Sequence, residues 1–119
     1  MAQELTITTL LQFAKGNVLA ISRSANSVKF DVAGSRYVQA VQAMGTSAAA
    51  IELNGISTPG YMFAKNLDAT NTISIRNGAV GADVIDLKPG EVALFRLHAA
   101  PYGIAGAGTP QLEYLIVEN

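Results

Sequence analysis

The chain has 119 residues, half of them hydrophobic and only 14% charged, with eight Lys plus Arg against nine Asp plus Glu and a formal net charge of −1. That length suits one domain around one core and excludes a second core. The scattered, nearly balanced charge excludes the clustered basic surface on which non-specific nucleic-acid binding rests, and the absence of cysteine removes disulfides, thiol nucleophiles and thiolate metal sites together. A small domain with so little charge, against about 25% in an average soluble protein, is expected to cover part of its surface with a partner. Met1-Ala2-Gln3-Glu4 lacks a basic start, and no apolar run approaches the roughly 18 residues of a membrane span. The chain is therefore expected to be made in the cytoplasm, with no membrane partner.

Short apolar segments broken every 8 to 12 residues or so by Gly, Pro, Asn or Asp predict an all-β protein, an antiparallel β-sandwich in a single domain over 1–119. Leu5, Ile7, Thr9, Leu11 and Phe13 fall on one face of a first strand, opposite Thr6, Thr8 and Gln12, with Leu10 the exception. Lys15-Gly16-Asn17 turns the chain into a strand from Val18 to Ser22. Ser27–Val32 alternates most cleanly, with Val28, Phe30 and Val32 inward. Tyr37–Met44 follows the Gly34-Ser35 turn, and Gly45–Ala50 suits a loop or a helical turn. Ile51–Leu53 is a brief strand ended by Asn54-Gly55. Tyr61–Asn66, Thr72–Arg76, Asp83–Leu87 and Glu91–Leu97 are the next strands. Lys88-Pro89-Gly90 predicts a type II hairpin turn between the last two, because Pro fixes φ at the first turn position and Gly accepts positive φ at the second. After the Gly- and Pro-rich loop 99–110, Leu112–Val117 is apolar on both faces. Such a strand is either central in a two-layer core or covered by a neighbouring subunit.

No constellation in the sequence names a reaction, and the chain reads as a non-enzyme. His98 is the sole histidine, and no second histidine stands at a metal-ligand spacing. Asp83 and Asp86, three apart on a strand, are expected on opposite faces and so make no acid/base pair. Asp68 alone in its turn does not make a calcium site. The glycines at 103, 106 and 108 lack the Lys-Ser/Thr and the helix of a phosphate loop. No cofactor or metal is expected. Tyr37, Tyr61, Tyr102 and Tyr114 offer a sugar-stacking alternative, that of a carbohydrate-binding module, against a core or interface role. The expected interface residues are Tyr102, Leu112, Tyr114, Leu115 and Val117, on the last strand and the loop before it.

Three stretches, Thr58–Asn71 (TPGYMFAKNLDATN), Leu87–Leu97 (LKPGEVALFRL) and Leu112–Glu118 (LEYLIVE), resemble a pattern in small structural proteins of tailed bacteriophages. The resemblance runs over residues 37–119 and carries no catalytic residues. It implies a virion component: a capsid decoration (cement) protein with a jelly-roll-like sandwich, homo-oligomeric and trimeric by preference. Its partner would be the major capsid protein or another virion protein. A tail, neck or fibre-associated component is the alternative within the same resemblance.

Overall fold

The computed structural model describes residues 3–17 and 19–119. Met1, Ala2 and Val18, the last being where the second strand was expected to begin, lie outside the described residues. The protein is all-β and antiparallel, with no helix among the described residues. Its strands divide between two units, Met1–Ala33 and Gly34–Asn119.

The first unit is a long hairpin of β1 (Leu5–Lys15) and β2 (Leu19–Phe30), joined at Gly16, which takes a positive φ of 61°. The two strands expected at 18–22 and 27–32 are one strand here, and a β-bulge explains how. Register runs Leu5↔Phe30 and Ile7↔Val28, then shifts to Thr9↔Ala25, Leu11↔Arg23 and Phe13↔Ile21. The extra residue falls at Ser27, whose φ is +53° and whose N–H donates to Thr8 Oγ1 at 3.1 Å. Without it the even-numbered Val28 and the odd-numbered Ile21 would point to opposite faces, since one residue of slip inverts every side chain. With it, both share the apolar face of Leu5, Ile7, Leu11 and Phe13. Val28, expected inside, is exposed on that face.

The second unit holds β3 (Tyr37–Ala43), β4 (Ala49–Ala50), β5 (Pro59–Asn66), β6 (Ile73–Arg76), β7 (Asp83–Leu87), β8 (Val92–Arg96), β9 (Tyr102–Ala105) and β10 (Gln111–Glu118). They form two four-stranded sheets, ordered β3-β10-β5-β8 and β4-β9-β6-β7. Met62, Ala64, Leu112, Tyr114 and Ile116 from the first sheet meet Ile73, Ile75, Leu87 and Ala105 from the second in one core, with Met44, Ile51 and Ile56 added from loops. Each buried Leu, Ile or Met there contributes roughly 1.5–3 kcal/mol. The short strand expected at Ile51–Leu53 is instead Ala49–Ala50, paired with Tyr102 and Gly103. Ile51 leaves the ladder to enter the core, its N–H donating to the Pro101 carbonyl at 3.1 Å.

The turn at Lys88-Pro89-Gly90 forms as expected, with Gly90 at φ +79° and the Glu91 N–H donating to the Lys88 carbonyl at 3.0 Å. It does not make a hairpin. β7 pairs with β6 and β8 pairs with β5, so the turn carries the chain from one sheet to the other. Local turn chemistry fixes the reversal, but the partner of each flanking strand is fixed by the core. The fully buried Asn66 holds this corner. Its Nδ2 donates to the Asn71 carbonyl at 2.8 Å and the Leu87 carbonyl at 2.9 Å, and its Oδ1 accepts from the Asp68 N–H at 2.9 Å. Its backbone N–H donates to the Glu91 carbonyl, and its carbonyl accepts from the Gly90 N–H.

Candidate interaction site

The last strand, β10, lies between β3 and β5, which resolves its two-sided apolar sequence into two roles. Leu112, Tyr114 and Ile116 point inward and are at most 1% exposed. The Tyr114 hydroxyl donates to the Glu52 carbonyl at 2.9 Å; burial, then the nearby Glu52 charge, raise its pKa above the ordinary tyrosine value. Leu112 and Tyr114, expected at an interface, are thus occupied by the chain's own core. Leu115 and Val117 face outward and are half-buried. Tyr102 is half-buried on β9, set between Ala50 and Arg76 of the neighbouring strands.

Register places other apolar side chains around Leu115 on the same outward surface. Leu115 lies opposite Phe63 of β5, Phe63 lies opposite Leu94 of β8, and Val117 lies opposite Tyr37 of β3. Tyr37 is 65% exposed, and Phe63 and Leu94 are each 38% exposed. Arg96 closes one end of this surface, its guanidinium 4.7 Å from the centre of the Tyr61 ring. The outcome is a sheet face with a continuous apolar row across three strands. Phe63 and Leu94 were not singled out from sequence, yet the signal was there: Tyr61-Met62-Phe63 and Val92-Ala93-Leu94-Phe95 are apolar at consecutive positions.

The aspartates weighed for chemistry have structural partners. A β-bulge in β7 changes the expected geometry of its acids: Ile75 pairs with Ile85 but Arg76 pairs with Asp83, skipping Val84. Asp83 and Asp86 therefore share the outward face instead of opposing each other. Asp83 is bridged to Arg76 and Asp86 accepts from Ser74 Oγ at 2.7 Å, so each carboxylate is engaged. Asp68 caps its own loop, accepting from the N–H groups of Asn71 at 2.6 Å and Thr70 at 3.0 Å, and these bonds hold its pKa below the usual value. His98 is exposed at the rim of a groove of about 380 Å³ floored by Ile75, Ile85, Phe95 and Leu97. The loop at 103–108 includes β9, where Gly103 lies against Met44, so part of it is core and not a free connection.

Compared with protein-family models, with curated proteins and with solved structures, the chain matches none.

Proposed function

We propose that this chain is a structural protein of a tailed-bacteriophage virion, made in the host cytoplasm. In this reading it is a decoration protein that binds the major-capsid lattice through protein–protein contacts and performs no chemistry. The observation that carries this reading is where the three phage-like stretches fall. They contribute β5, β8 and β10, three adjacent strands of one sheet, and their outward side chains are Phe63, Leu94 and Leu115. An apolar row on a face whose opposite side already fills the core is the kind of surface that marks an interaction site. We read the eight strands of the second unit as a jelly roll. The interleaved orders β3-β10-β5-β8 and β4-β9-β6-β7 support this, since each sheet alternates strands from the first and second halves of the segment.

The test is a reconstruction of the phage particle that encodes the chain, beside co-sedimentation of the purified protein with capsids lacking it. Density for the two-sheet domain on the capsid exterior, with saturable co-sedimentation, is the expected result. Density at the tail or neck would move the protein to the alternative address. A protein found in no particle, and not sedimenting with capsids, overturns the reading.

A further inference from the structure

Asparagine is followed by glycine twice in the second unit, at Asn54-Gly55 and Asn77-Gly78. The pair is chemically labile, because the glycine nitrogen has no neighbouring Cβ to hinder its attack on the asparagine amide. Both asparagines are exposed, so access to water does not distinguish them. Backbone constraint does. Asn54 and Gly55 sit at φ +49° and +91°, the pattern of a type I′ turn, and the Ile56 N–H closes it by donating to the Leu53 carbonyl at 3.1 Å. Arg36 Nη1 donates to the Gly55 carbonyl at 2.7 Å, and Ile56 is anchored in the core. Asn77-Gly78 lies just past β6, whose ladders with β7 and β9 reach only as far as Arg76. Among the described residues, no hydrogen bond ties the Asn77 side chain or the Gly78 N–H. Gly81 lies close to the Asn77 carbonyl, where an added Cβ would stand 2.7 Å from it, but it has no side chain to pin it. Val80, just beyond the pair, is 98% exposed.

We infer that Asn77 is a site of spontaneous deamidation in the folded protein, while Asn54 is held unreactive by its turn. The backbone nitrogen of Gly78 attacks Cγ of Asn77, and a C–N bond forms as the Cγ–Nδ2 bond breaks. The Gly78 amide proton leaves with the side-chain nitrogen as ammonia, and a cyclic imide remains. Water then opens the imide. Opening at Cγ gives aspartate, and opening at the main-chain carbonyl gives isoaspartate, whose backbone runs through Cβ and Cγ. Water is the co-reactant, and nothing is oxidised or reduced. Attack requires rotation about the asparagine Cα–C bond until the next nitrogen faces Cγ. At Asn54 that rotation breaks the Ile56–Leu53 and Arg36–Gly55 bonds, which slows the reaction on the order of tenfold or more. At Asn77 it breaks neither. Asn77 lines the groove floored by Ile75, Ile85, Phe95 and Leu97, beside Arg76 and its Asp83 partner. Conversion therefore sets a carboxylate at that groove and adds a negative charge to a chain whose formal net charge is −1. Isoaspartate also lengthens the β6–β7 connection by a methylene. This inference holds or fails independently of the virion reading.

Trypsin cleavage after Lys65 and Arg76 puts the two asparagines on separate peptides. The folded protein, held for days in mildly alkaline buffer and compared with a fresh sample, is expected to gain an acidic form on isoelectric focusing. Peptide masses should place the amide-to-carboxylate change at Asn77, ahead of Asn54 by on the order of tenfold or more. In guanidinium chloride, where the turn is lost, the two asparagines should convert at similar rates. Asn77→Ser should abolish the acidic form. An Asn54 that converts as fast as Asn77 in the folded protein, an Asn77 that does not convert, or a preference that persists in guanidinium chloride overturns the inference.

Discussion

Replacing Asn66 by Ala tests whether a single buried amide fixes the corner at which the chain passes between sheets. The substitution removes three side-chain hydrogen bonds from a residue with no solvent exposure, to the Asn71 and Leu87 carbonyls and from the Asp68 N–H. At about 1 kcal/mol net per bond, the loss is about 3 kcal/mol. Total stability for a domain is of order 5–15 kcal/mol, so the variant should lose a large share of it. Urea denaturation followed by circular dichroism reads this as a fall in midpoint at unchanged slope. Asn66→Asp separates loss of the bonds from loss of volume. Its carboxylate would face the Asn71 and Leu87 carbonyls, acceptor against acceptor, so its folded pKa lies above its unfolded value. Its stability is therefore greatest below about pH 4 and lost as pH rises through the folded pKa. A midpoint for Asn66→Ala equivalent to less than about 1 kcal/mol of destabilisation would refute the corner argument.

Tyr114→Phe removes the bond to the Glu52 carbonyl and should cost about 1 kcal/mol at neutral pH. Because the Tyr114 pKa is raised in the fold, the stability tied to its neutral form is full below the ordinary tyrosine pKa of about 10 and lost above it. The Phe variant should accordingly lose less stability on titration to alkaline pH. Asp68 is the opposite case: its lowered pKa means stability is present above the unfolded value and lost as pH falls through the folded one. Asp68→Ala should flatten the acid limb of stability against pH, and an unchanged limb would show the cap to be idle. Leu115→Asp, at a half-buried outward position, should shift the denaturation midpoint by no more than about 1 kcal/mol while abolishing capsid co-sedimentation. Unfolding of that variant would place Leu115 in the core instead.

What was legible in the sequence was local. Alternation gave β1, and turn chemistry gave Asn54-Gly55 and Lys88-Pro89-Gly90. Asn54 and Gly55 take positive φ of 49° and 91°, as the hairpin-type pair predicts. What was not legible was non-local. No residue near Lys88 says that β7 will pair with β6 and β8 with β5, because that choice is made by which apolar faces meet in the core. The two bulges defeated parity arguments in opposite ways. At Ser27 the bulge merged two apparent strands into one, and at Val84 it brought two aspartates to one face. A bulge residue leaves little trace in composition, since Ser and Val are ordinary strand-region residues.

The same distinction governs the interface residues. A strand that is apolar at successive positions tells a reader that both of its faces are in demand, but not which demand is internal. Here β10 sits second from the edge of its sheet with ladders on both sides, so its even-numbered residues meet the opposing sheet and its odd-numbered ones do not. Each outward apolar side chain on such a sheet carries an unrealised burial of up to about 1.5–3 kcal/mol. With Leu115, Phe63, Leu94, Val117 and Tyr37 in mutual register, a partner that covers the row gains several of these at once without reorganising the core. On the proposed reading the low charge content has the same physical cause: an outward face committed to packing has few positions left for Lys, Arg, Asp or Glu. On the outward face of this sheet they are Lys65 and Glu113, opposite each other on the two inner strands, and Arg96 at the end of another row. A partner docking along the Leu115 row would meet the facing Glu113 and Lys65 in the neighbouring row, where opposite charges already side by side contribute orientation more than affinity.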